Sequence, residues 1–412
     1  MPRALLLPAI LAGLAVAASP AAAAPEYVPG EVIVKHEGKP GSRTVPVADG
    51  ESVRDVAREL RDAPGVAYAV PNFVARASGY TPNDPAFPRQ WNLSGETSIN
   101  MPEAWRLARR ERRPGGLGTV VAVLDTGVAY QRFRRFRRAP DLRRFVRGHD
   151  FVAGDRHPND QNGHGTHVAG TIAQSTGNRR GTAGIAYRAR IMPVRVLDAN
   201  GAGDTISISR GIRYAARRGA DVINLSLEFD AAVRAAQIPD IVRALRFARR
   251  RGVVVVAAAG NQGSPQVAYP ARARHVIAVA ATTRSGCQAE YSNSGTHVDL
   301  TAPGGGRDAP NVDTPYDLET CNPDLLGGYI FQQTFTGSVR RFGLPGGFEG
   351  TSMAAPHVSG VAALLIGSQR LGPAPLPFVI ERRLESTARD IGEPGWDPRY
   401  GWGLLDAAAA LR

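Results

Sequence analysis

Short apolar stretches alternate with amphipathic ones along the chain after residue 119. The apolar stretches lie at residues 120–124, 191–197, 222–226, 253–258 and 276–280. None shows a strict alternation of polar positions, which is typical of parallel strands that are buried on both faces. Helical periodicity appears between them at 206–217 and 231–250, and again after His164. This order predicts an α/β fold in which a largely parallel central sheet is flanked by helices.

A different pattern precedes this region. Residues 28–35 and 65–74 have the composition of strands, and residues 53–61 have the spacing of an amphipathic helix. Two strands and a helix predict a small α+β domain over residues 25–79.

The amino terminus has the composition of a secretory signal peptide. Arg3 precedes an apolar stretch at residues 4–18, and alanines at 21–24 offer a small-residue cleavage site. A membrane anchor is the alternative, but the apolar stretch is too short to span a bilayer comfortably. We therefore predict a signal peptide over residues 1–24 and a secreted, extracellular protein without a stable membrane anchor.

Three polar residues stand at positions that suit chemistry. Asp125 follows the first predicted strand of the sheet, at the end where α/β folds place their sites. His164 follows a glycine-flanked loop, and Ser352 falls in the first turn of a predicted helix, near free backbone N–H groups. Taken alone, Ser352 could merely cap a core helix, as most serines before an apolar stretch do. Together the three residues supply an acid, a base and a nucleophile in the order Asp, His, Ser.

The sequences around these residues resemble the motifs of subtilisin-type serine peptidases. They are Asp-Thr-Gly at Asp125, His-Gly-Thr-His at His164, and Gly-Thr-Ser-Met-Ala-Ala-Pro-His around Ser352. The resemblance covers roughly residues 80–412 and implies a subtilisin-like catalytic domain there. It also implies an endopeptidase that forms an acyl-enzyme on Ser352, with His164 as general base and Asp125 orienting it. A catalytically silent, protease-like binding protein is the alternative.

The resemblance implies further site residues. Asn261, in the sequence Ala-Gly-Asn, matches the residue whose amide binds the oxyanion in the family. Glu228 replaces the glycine of the family's Ser-Leu-Gly segment, which holds the substrate backbone. Its carboxylate either faces the pocket mouth, where it would disfavour acidic residues before the cut, or points to solvent and leaves a broad apolar preference. The predicted substrate-binding residues are Ser226, Leu227, Glu228, Ala257, Ala258, Ala259 and Gly260.

Residues 25–79 resemble the inhibitory propeptide of the same family. The resemblance is carried by the closing sequence Pro-Gly-Val-Ala-Tyr-Ala-Val-Pro-Asn-Phe-Val. It implies a zymogen that cleaves its own linker at 75–80 and is inhibited by its own propeptide until then. Within the catalytic domain, residues 304–348 are rich in glycine, proline and polar residues, and we predict a surface insertion there.

The sequence contains two cysteines, Cys287 and Cys321. In an oxidising compartment an even pair favours one disulfide, which would tie the insertion to the rest of the domain. Two separate thiols are the alternative.

A loop between the aspartate and histidine motifs is rich in oxygen ligands. Asp150, Asp155 and Asn159 resemble a structural Ca²⁺ site of thermophilic relatives of the family, and a solvated acidic loop is the alternative. A second calcium loop of the family corresponds to residues 175–181, where two arginines would repel a cation unless they point outwards. No cofactor is expected for catalysis.

The net charge of +13 arises from 50 lysine and arginine residues, which cluster most densely at 132–147. This charge invites a nucleic-acid partner, but no binding module is recognisable, so we predict a solvated loop and no nucleic acid. An anionic surface or acidic protein would suit the cluster better.

The expected partners are protein or peptide substrates of a monomeric enzyme. His167 and His357 are predicted to be packed rather than catalytic.

Overall fold

The protein is described by a computed structural model over residues 27–48, 50–73, 80–110, 113–310, 321 and 328–412. The predicted signal peptide at 1–24 and residues 75–79 of the predicted linker lie outside the described residues, as do 311–320 and 322–327 of the predicted insertion. The chain divides into two compact units, Met1–Ser78 and Gly79–Arg412.

The first unit is a small α+β domain. Its three-stranded antiparallel sheet has the order β2-β1-β3, formed by β1 (Tyr27–His36), β2 (Arg43–Pro46) and β3 (Val66–Phe73). Helix α1 (Val53–Arg61) buries Val53 and Ala57 in a core that also contains Val32 and Ala69. The predicted strands and helix are confirmed, and β2 is an additional strand.

Seven parallel strands form the central sheet of the second unit. In chain order they are β4 (Val120–Asp125), β5 (His149–Asp150), β6 (Arg190–Arg195), β7 (Val222–Leu225), β8 (Val254–Ala258), β9 (Ile277–Thr282) and β10 (Leu300–Pro303). The order across the sheet is β10-β9-β8-β7-β4-β6-β5, and the pairings are parallel. The predicted parallel sheet is confirmed, although the apolar pattern did not reveal the edge strands β5 and β10.

The two faces of the sheet belong to two separate hydrophobic cores. In β4, Val121 and Val123 pack into one core, whereas Ala122 and Leu124 pack into the other. Successive side chains of a strand point to opposite faces, so both sets must be apolar. Burial on both faces explains why the strands appear in the sequence as continuous apolar stretches.

Helices cover both faces of the sheet. They are α2 (Met101–Arg110), α3 (His164–Ala173), α4 (Thr205–Arg217), α5 (Pro239–Arg250), α6 (Thr351–Ser368), α7 (Pro377–Ser386) and α8 (Ala407–Ala410). The helix predicted at 231–250 is shorter than expected. It begins at Pro239, whose missing N–H suits the first helical position, after a short 3₁₀ helix at Ala235–Gln237.

Helix α6, which bears Ser352, lies almost entirely within the protein. Of its residues, only Ser352 and Ile366 are not buried. Small residues such as Gly360 permit this, because a Cβ there would clash with Ile185. Across the described ranges of the chain, no helix combines the length and apolarity needed to cross a membrane.

The prediction of a surface insertion at 304–348 is wrong for part of that segment. Ile330, Gln332 and Thr334 are fully buried, and Thr334 donates a hydrogen bond from its hydroxyl to the carbonyl of Gly163. A short hairpin follows, formed by β11 (Thr334–Phe335) and β12 (Phe342–Gly343). This stretch is buried because it packs against the start of α3, which the polar composition of the segment does not reveal. The predicted disulfide between Cys287 and Cys321 is confirmed.

The arginine cluster at 132–147 supplies its own aromatic partners. The guanidinium of Arg135 lies 5.4 Å from the ring centre of Phe136, and that of Arg138 lies 5.7 Å from Phe145. Cation–π contacts of this kind stabilise the loop internally.

Candidate active site

Asp125 and His164 are brought together by the ends of two elements. Asp125 is the last residue of β4 and His164 the first residue of α3. The Nδ1–H of His164 donates to Oδ1 of Asp125 at 2.7 Å, and the backbone N–H of Thr126 donates to the same oxygen at 2.7 Å. A Cβ on Gly165 would overlap the carbonyl oxygen of Gly127, so glycine is needed for α3 to begin this close to the strand end.

Asp160 holds β4 and α3 in this position. It was not predicted as a site residue from the sequence. Its fully buried carboxylate accepts hydrogen bonds from the hydroxyls of Thr126 and Thr166, at 2.9 and 2.6 Å. It also accepts the backbone N–H groups of Asn162, Gly163 and Thr166. Asp160 therefore ties the segment after β4 to the first turn of α3. The available signal was its place just before a helix, where an aspartate readily accepts backbone N–H bonds.

The environment of His164 favours its protonated form. Burial disfavours the charged ring, but the charge of Asp125 and the hydrogen bond to it outweigh burial and raise the pKa of His164 above its usual value. The side chain of Asp125 is fully buried, whereas 24% of the His164 side chain is exposed. An aspartate that stabilises an accessible imidazolium is what a general base requires after it takes a proton.

Ser352 stands at the amino-terminal turn of α6, next to β7. Its hydroxyl donates to the carbonyl of Ser226 at 3.3 Å, and the Ser226 hydroxyl donates to the carbonyl of Ser352 at 2.8 Å. Behind this pair, Asn224 donates to the Ser226 hydroxyl and accepts from Ser359. This buried polar chain fixes the start of α6 against the end of β7. Gly350 precedes it with a φ of 137°, a conformation that a residue with a side chain rarely adopts.

The side-chain amide of Asn261 has a fixed orientation. Its Oδ1 accepts the backbone N–H of Thr351 at 2.7 Å and the Thr351 hydroxyl at 3.0 Å. Its Nδ2 donates to Oε2 of Glu228 at 3.1 Å. Glu228 therefore does not extend into open solvent, which was one of the two orientations considered for it.

One cavity of about 490 Å³ connects these groups. It is lined by His164, Ser352, Asn261, Ser226, Leu227 and Glu228, all of which the sequence predicted as site residues. Residues 200–203, which were not predicted, form another part of its lining. The predicted wall does not line this cavity: Ala257 and Ala259 pack in one hydrophobic core, Ala258 packs in the other, and Gly260 is buried.

His167 and His357 lie in the protein core. His167 donates from Nε2 to the carbonyl of Ile330 at 2.9 Å, and burial lowers its pKa to about 3. His357 donates from Nδ1 to the carbonyl of Met353 and accepts from Asn92, and burial lowers its pKa to about 4. Both rings are therefore neutral, hydrogen-bonded core residues.

The predicted calcium ligands do not converge on a cation site. One oxygen of Asp150 pairs with Arg195 at 2.9 Å in a buried salt bridge, and the other accepts the N–H groups of residues 152 and 153. The prediction for Asp150 is wrong because its carboxylate is already used and an arginine lies beside it. Asp155 accepts the N–H of His157 and is exposed. Asn159 is buried, with neither side-chain polar atom hydrogen-bonded.

The second loop, residues 175–181, fits a cation better. Two buried carboxylates flank it: Asp141 accepts the amide of Asn178 at 2.7 Å, and Asp84 accepts the N–H of Gly177 at 2.6 Å. The side-chain oxygens of Asn178 and Gln174 are buried without hydrogen-bond partners. Arg179 and Arg180 are exposed, and a cation in this loop requires that these two arginines point outwards. No group of three or more His, Cys, Asp or Glu side chains that could together hold a metal ion is found in the described ranges. A cation here would therefore need amide and carbonyl oxygens as well.

An aspartate-bonded histidine, a serine and an oriented amide around one cavity are typical of serine hydrolases. Residues 116–403 match the model of the Subtilase family. The chain belongs to this family of serine proteases.

The relatives agree with this assignment. The chain is 37% identical over 351 residues to the thermophilic serine proteinase of Bacillus sp. strain AK1, covering 85% of this chain and 74% of that protein. It is 37% identical over 318 residues to thermitase of Thermoactinomyces vulgaris, covering 77% and 94%. A solved protease structure from Pseudoalteromonas arctica matches with a TM-score of 0.65 and 34% identity, covering 80% of this chain and 98% of that chain.

Proposed function

We propose that the chain is a serine endopeptidase that cleaves peptide bonds through an acyl-enzyme on Ser352. The observation that carries this proposal is the shared cavity, on which Ser352, the Asp125-bonded His164 and the Asn261 amide all converge. A fold-level likeness alone would not assign the chemistry, because related folds lose activity when such residues are replaced.

The reaction follows from these positions. The Ser352 oxygen attacks the substrate carbonyl carbon while His164 removes the hydroxyl proton, and Asp125 stabilises the resulting imidazolium. The carbonyl oxygen becomes an oxyanion that accepts hydrogen bonds from the Asn261 amide and the backbone N–H of Ser352. His164 then gives its proton to the departing amine, which leaves an ester on Ser352. Water, deprotonated by His164, hydrolyses this ester and restores the enzyme.

The substrate backbone is expected to add as a strand along Ser226, Leu227 and Glu228, since these residues line the cavity next to Ser352. Residues 257–260 do not line this cavity, so a first specificity pocket bounded by them stays a prediction from the sequence. We propose a broad preference for large apolar residues before the cut, with a penalty for acidic residues from Glu228.

We further propose that the protein is made as a secreted zymogen. The composition of residues 1–24 supports export. The compact α+β unit formed by the first three strands and α1 supports a folded propeptide, which the catalytic domain would remove by cutting at 75–80.

A structural Ca²⁺ is proposed at the loop 175–181. Asp84, Asp141, Asn178 and Gln174 would hold it, because two carboxylates and two unpartnered amide oxygens lie around the loop. The ion would stabilise the loop and would take no part in the chemical steps.

Casein hydrolysis tests the proposed activity. The processed chain should degrade casein, and a serine-directed fluorophosphonate should label Ser352 and abolish the degradation. A processed chain that neither reacts with the fluorophosphonate nor cleaves casein would support the silent, protease-like binding protein instead.

A further inference from the structure

The oxyanion donor of the proposed reaction already has an acceptor within the protein. The Asn261 Nδ2 donates to Oε2 of Glu228 at 3.1 Å. The two bonds from Thr351 to Oδ1 fix the opposite end of the amide, so its NH₂ group is turned towards Glu228. A carboxylate acceptor makes a stronger hydrogen bond than a neutral one.

Among the described residues that line the cavity, no lysine or arginine is present to neutralise Glu228. His164 and Glu228 are the only titratable side chains among the described residues that line it, and no arginine does. Glu228 is half-buried, and burial raises its pKa while a hydrogen bond from the Asn261 backbone opposes that rise. At neutral pH a negative charge close to the amide opposes a second negative charge on the oxyanion.

Resting on the proposed function, we propose that Glu228 restrains the oxyanion donor. Its carboxylate competes with the reacting carbonyl oxygen for the Asn261 amide, so the substrate must displace it before the tetrahedral intermediate is stabilised. Glu228 is a positioning residue in this account, since it acts through Asn261 and not on the reacting atoms.

The restraint should appear in turnover and not in substrate binding. The oxyanion forms only after attack, so weakening its competitor stabilises the transition state more than the bound substrate. An effect of Glu228 on substrate recognition would instead change KM with kcat preserved.

The first test is the Glu228→Gln variant, assayed on a peptide with an apolar residue before the cut. Glutamine keeps the size of the side chain but replaces a charged acceptor by a neutral one. We expect kcat to rise about threefold to tenfold, with KM within about twofold of the parent. Asp230→Asn is the matched control, because Asp230 carries the same charge nearby, is exposed, and does not line the cavity. Its kcat should equal that of the parent.

Unchanged or lower kcat in Glu228→Gln would overturn the inference. A lower value would mean that the carboxylate orients the amide for catalysis through its other hydrogen.

A double-mutant cycle shows whether Glu228 acts through Asn261. In the Asn261→Ala background, Glu228→Gln should leave kcat unchanged, because no amide remains to be released. If kcat rises as much as it does when Asn261 is present, the effect comes from charge repulsion alone. That result would contradict a competition for the amide.

The hydrogen bond from Asn261 to Glu228 can also be measured without an activity assay. In the parent chain labelled with ¹⁵N-asparagine, the Asn261 side-chain amide signals should shift as Glu228 titrates and should not shift in Glu228→Gln. The Asn261→Ala spectrum identifies these signals. Asn261 amide signals that do not shift as Glu228 titrates would contradict the inference even if the enzyme is active. A parent that fails to hydrolyse peptides contradicts the proposed function, and the spectra still decide the bond.

Discussion

The Nδ1 atom of His164 lies 2.7 Å from Oδ1 of Asp125, although the two residues belong to different elements of the fold. Asp160 maintains this short distance through Thr126 on one side and Thr166 on the other. The position of the proposed base therefore depends on a buried polar network as well as on its direct partner.

The acid limb of the activity profile follows from this pair. His164 must be neutral to accept the serine proton, so kcat/KM should fall as the pH drops through the raised pKa of His164. In Asp125→Asn the cause of the rise is removed, so the pKa of the imidazole should fall, and kcat should drop by about 10⁴. NMR of the ring protons measures the pKa in both proteins. An imidazole that titrates at the same pH in both would contradict the account.

The Asn261 amide should stabilise the transition state by several kilocalories per mole. Asn261→Leu should lower kcat by about 10² to 10³, the loss known for one oxyanion donor in subtilisin, while KM changes little. Thr351→Val is the control, because it removes only the hydroxyl bond to Oδ1 and keeps the Thr351 N–H bond. Its kcat should fall far less. Full activity in Asn261→Leu would assign the oxyanion to other donors.

Cation binding at the loop 175–181 predicts sensitivity to chelators. Excess chelator should lower the Tm of the parent, since it removes a ligand that binds the folded chain. Asp141→Asn should abolish this sensitivity because it removes a carboxylate from the loop. Asp155→Asn should retain it, since Asp155 is exposed in the other loop. A Tm that is unaffected by chelator in the parent would remove calcium from the account.

The Glu228 side chain also predicts a substrate preference. The Glu228→Gly variant should accept acidic residues before the cut more readily than the parent, because a like charge beside the pocket is removed. Profiling both enzymes on one peptide library gives the ratio of kcat/KM for acidic and apolar residues. Equal ratios would exclude Glu228 from specificity and leave only its proposed effect on Asn261.

The sequence predicted the parallel sheet and the candidate triad because each depends on local signals. Strands buried on both faces are continuous apolar stretches, and Asp125, His164 and Ser352 lie in motifs with fixed neighbours. The predicted contacts between these motifs still required the structure, which brings His164 of α3 and Ser352 of α6 to one cavity and bonds Asp125 of β4 to His164.

Contacts between distant segments were beyond the sequence patterns. Nothing in the sequence around Ile330 indicates that its carbonyl accepts a hydrogen bond from the His167 ring or that the segment is buried. The salt bridge from Arg195 to Asp150 similarly turns an apparent calcium ligand into a structural ion pair. The bond from Asn261 to Glu228 links residues 33 positions apart, so the glutamate could be noticed in the sequence but its partner could not.

The mass of the Ser352→Ala chain, made in a protease-free host beside the parent, tests the central claim most directly. If Ser352 is the nucleophile and the catalytic domain cleaves its own linker, the parent should lose the residues before the cut at 75–80, and Ser352→Ala should retain them. Ser368→Ala, on the same helix but outside the cavity lining, should still be processed. A Ser352→Ala chain with the same shortened mass as the parent would contradict the account.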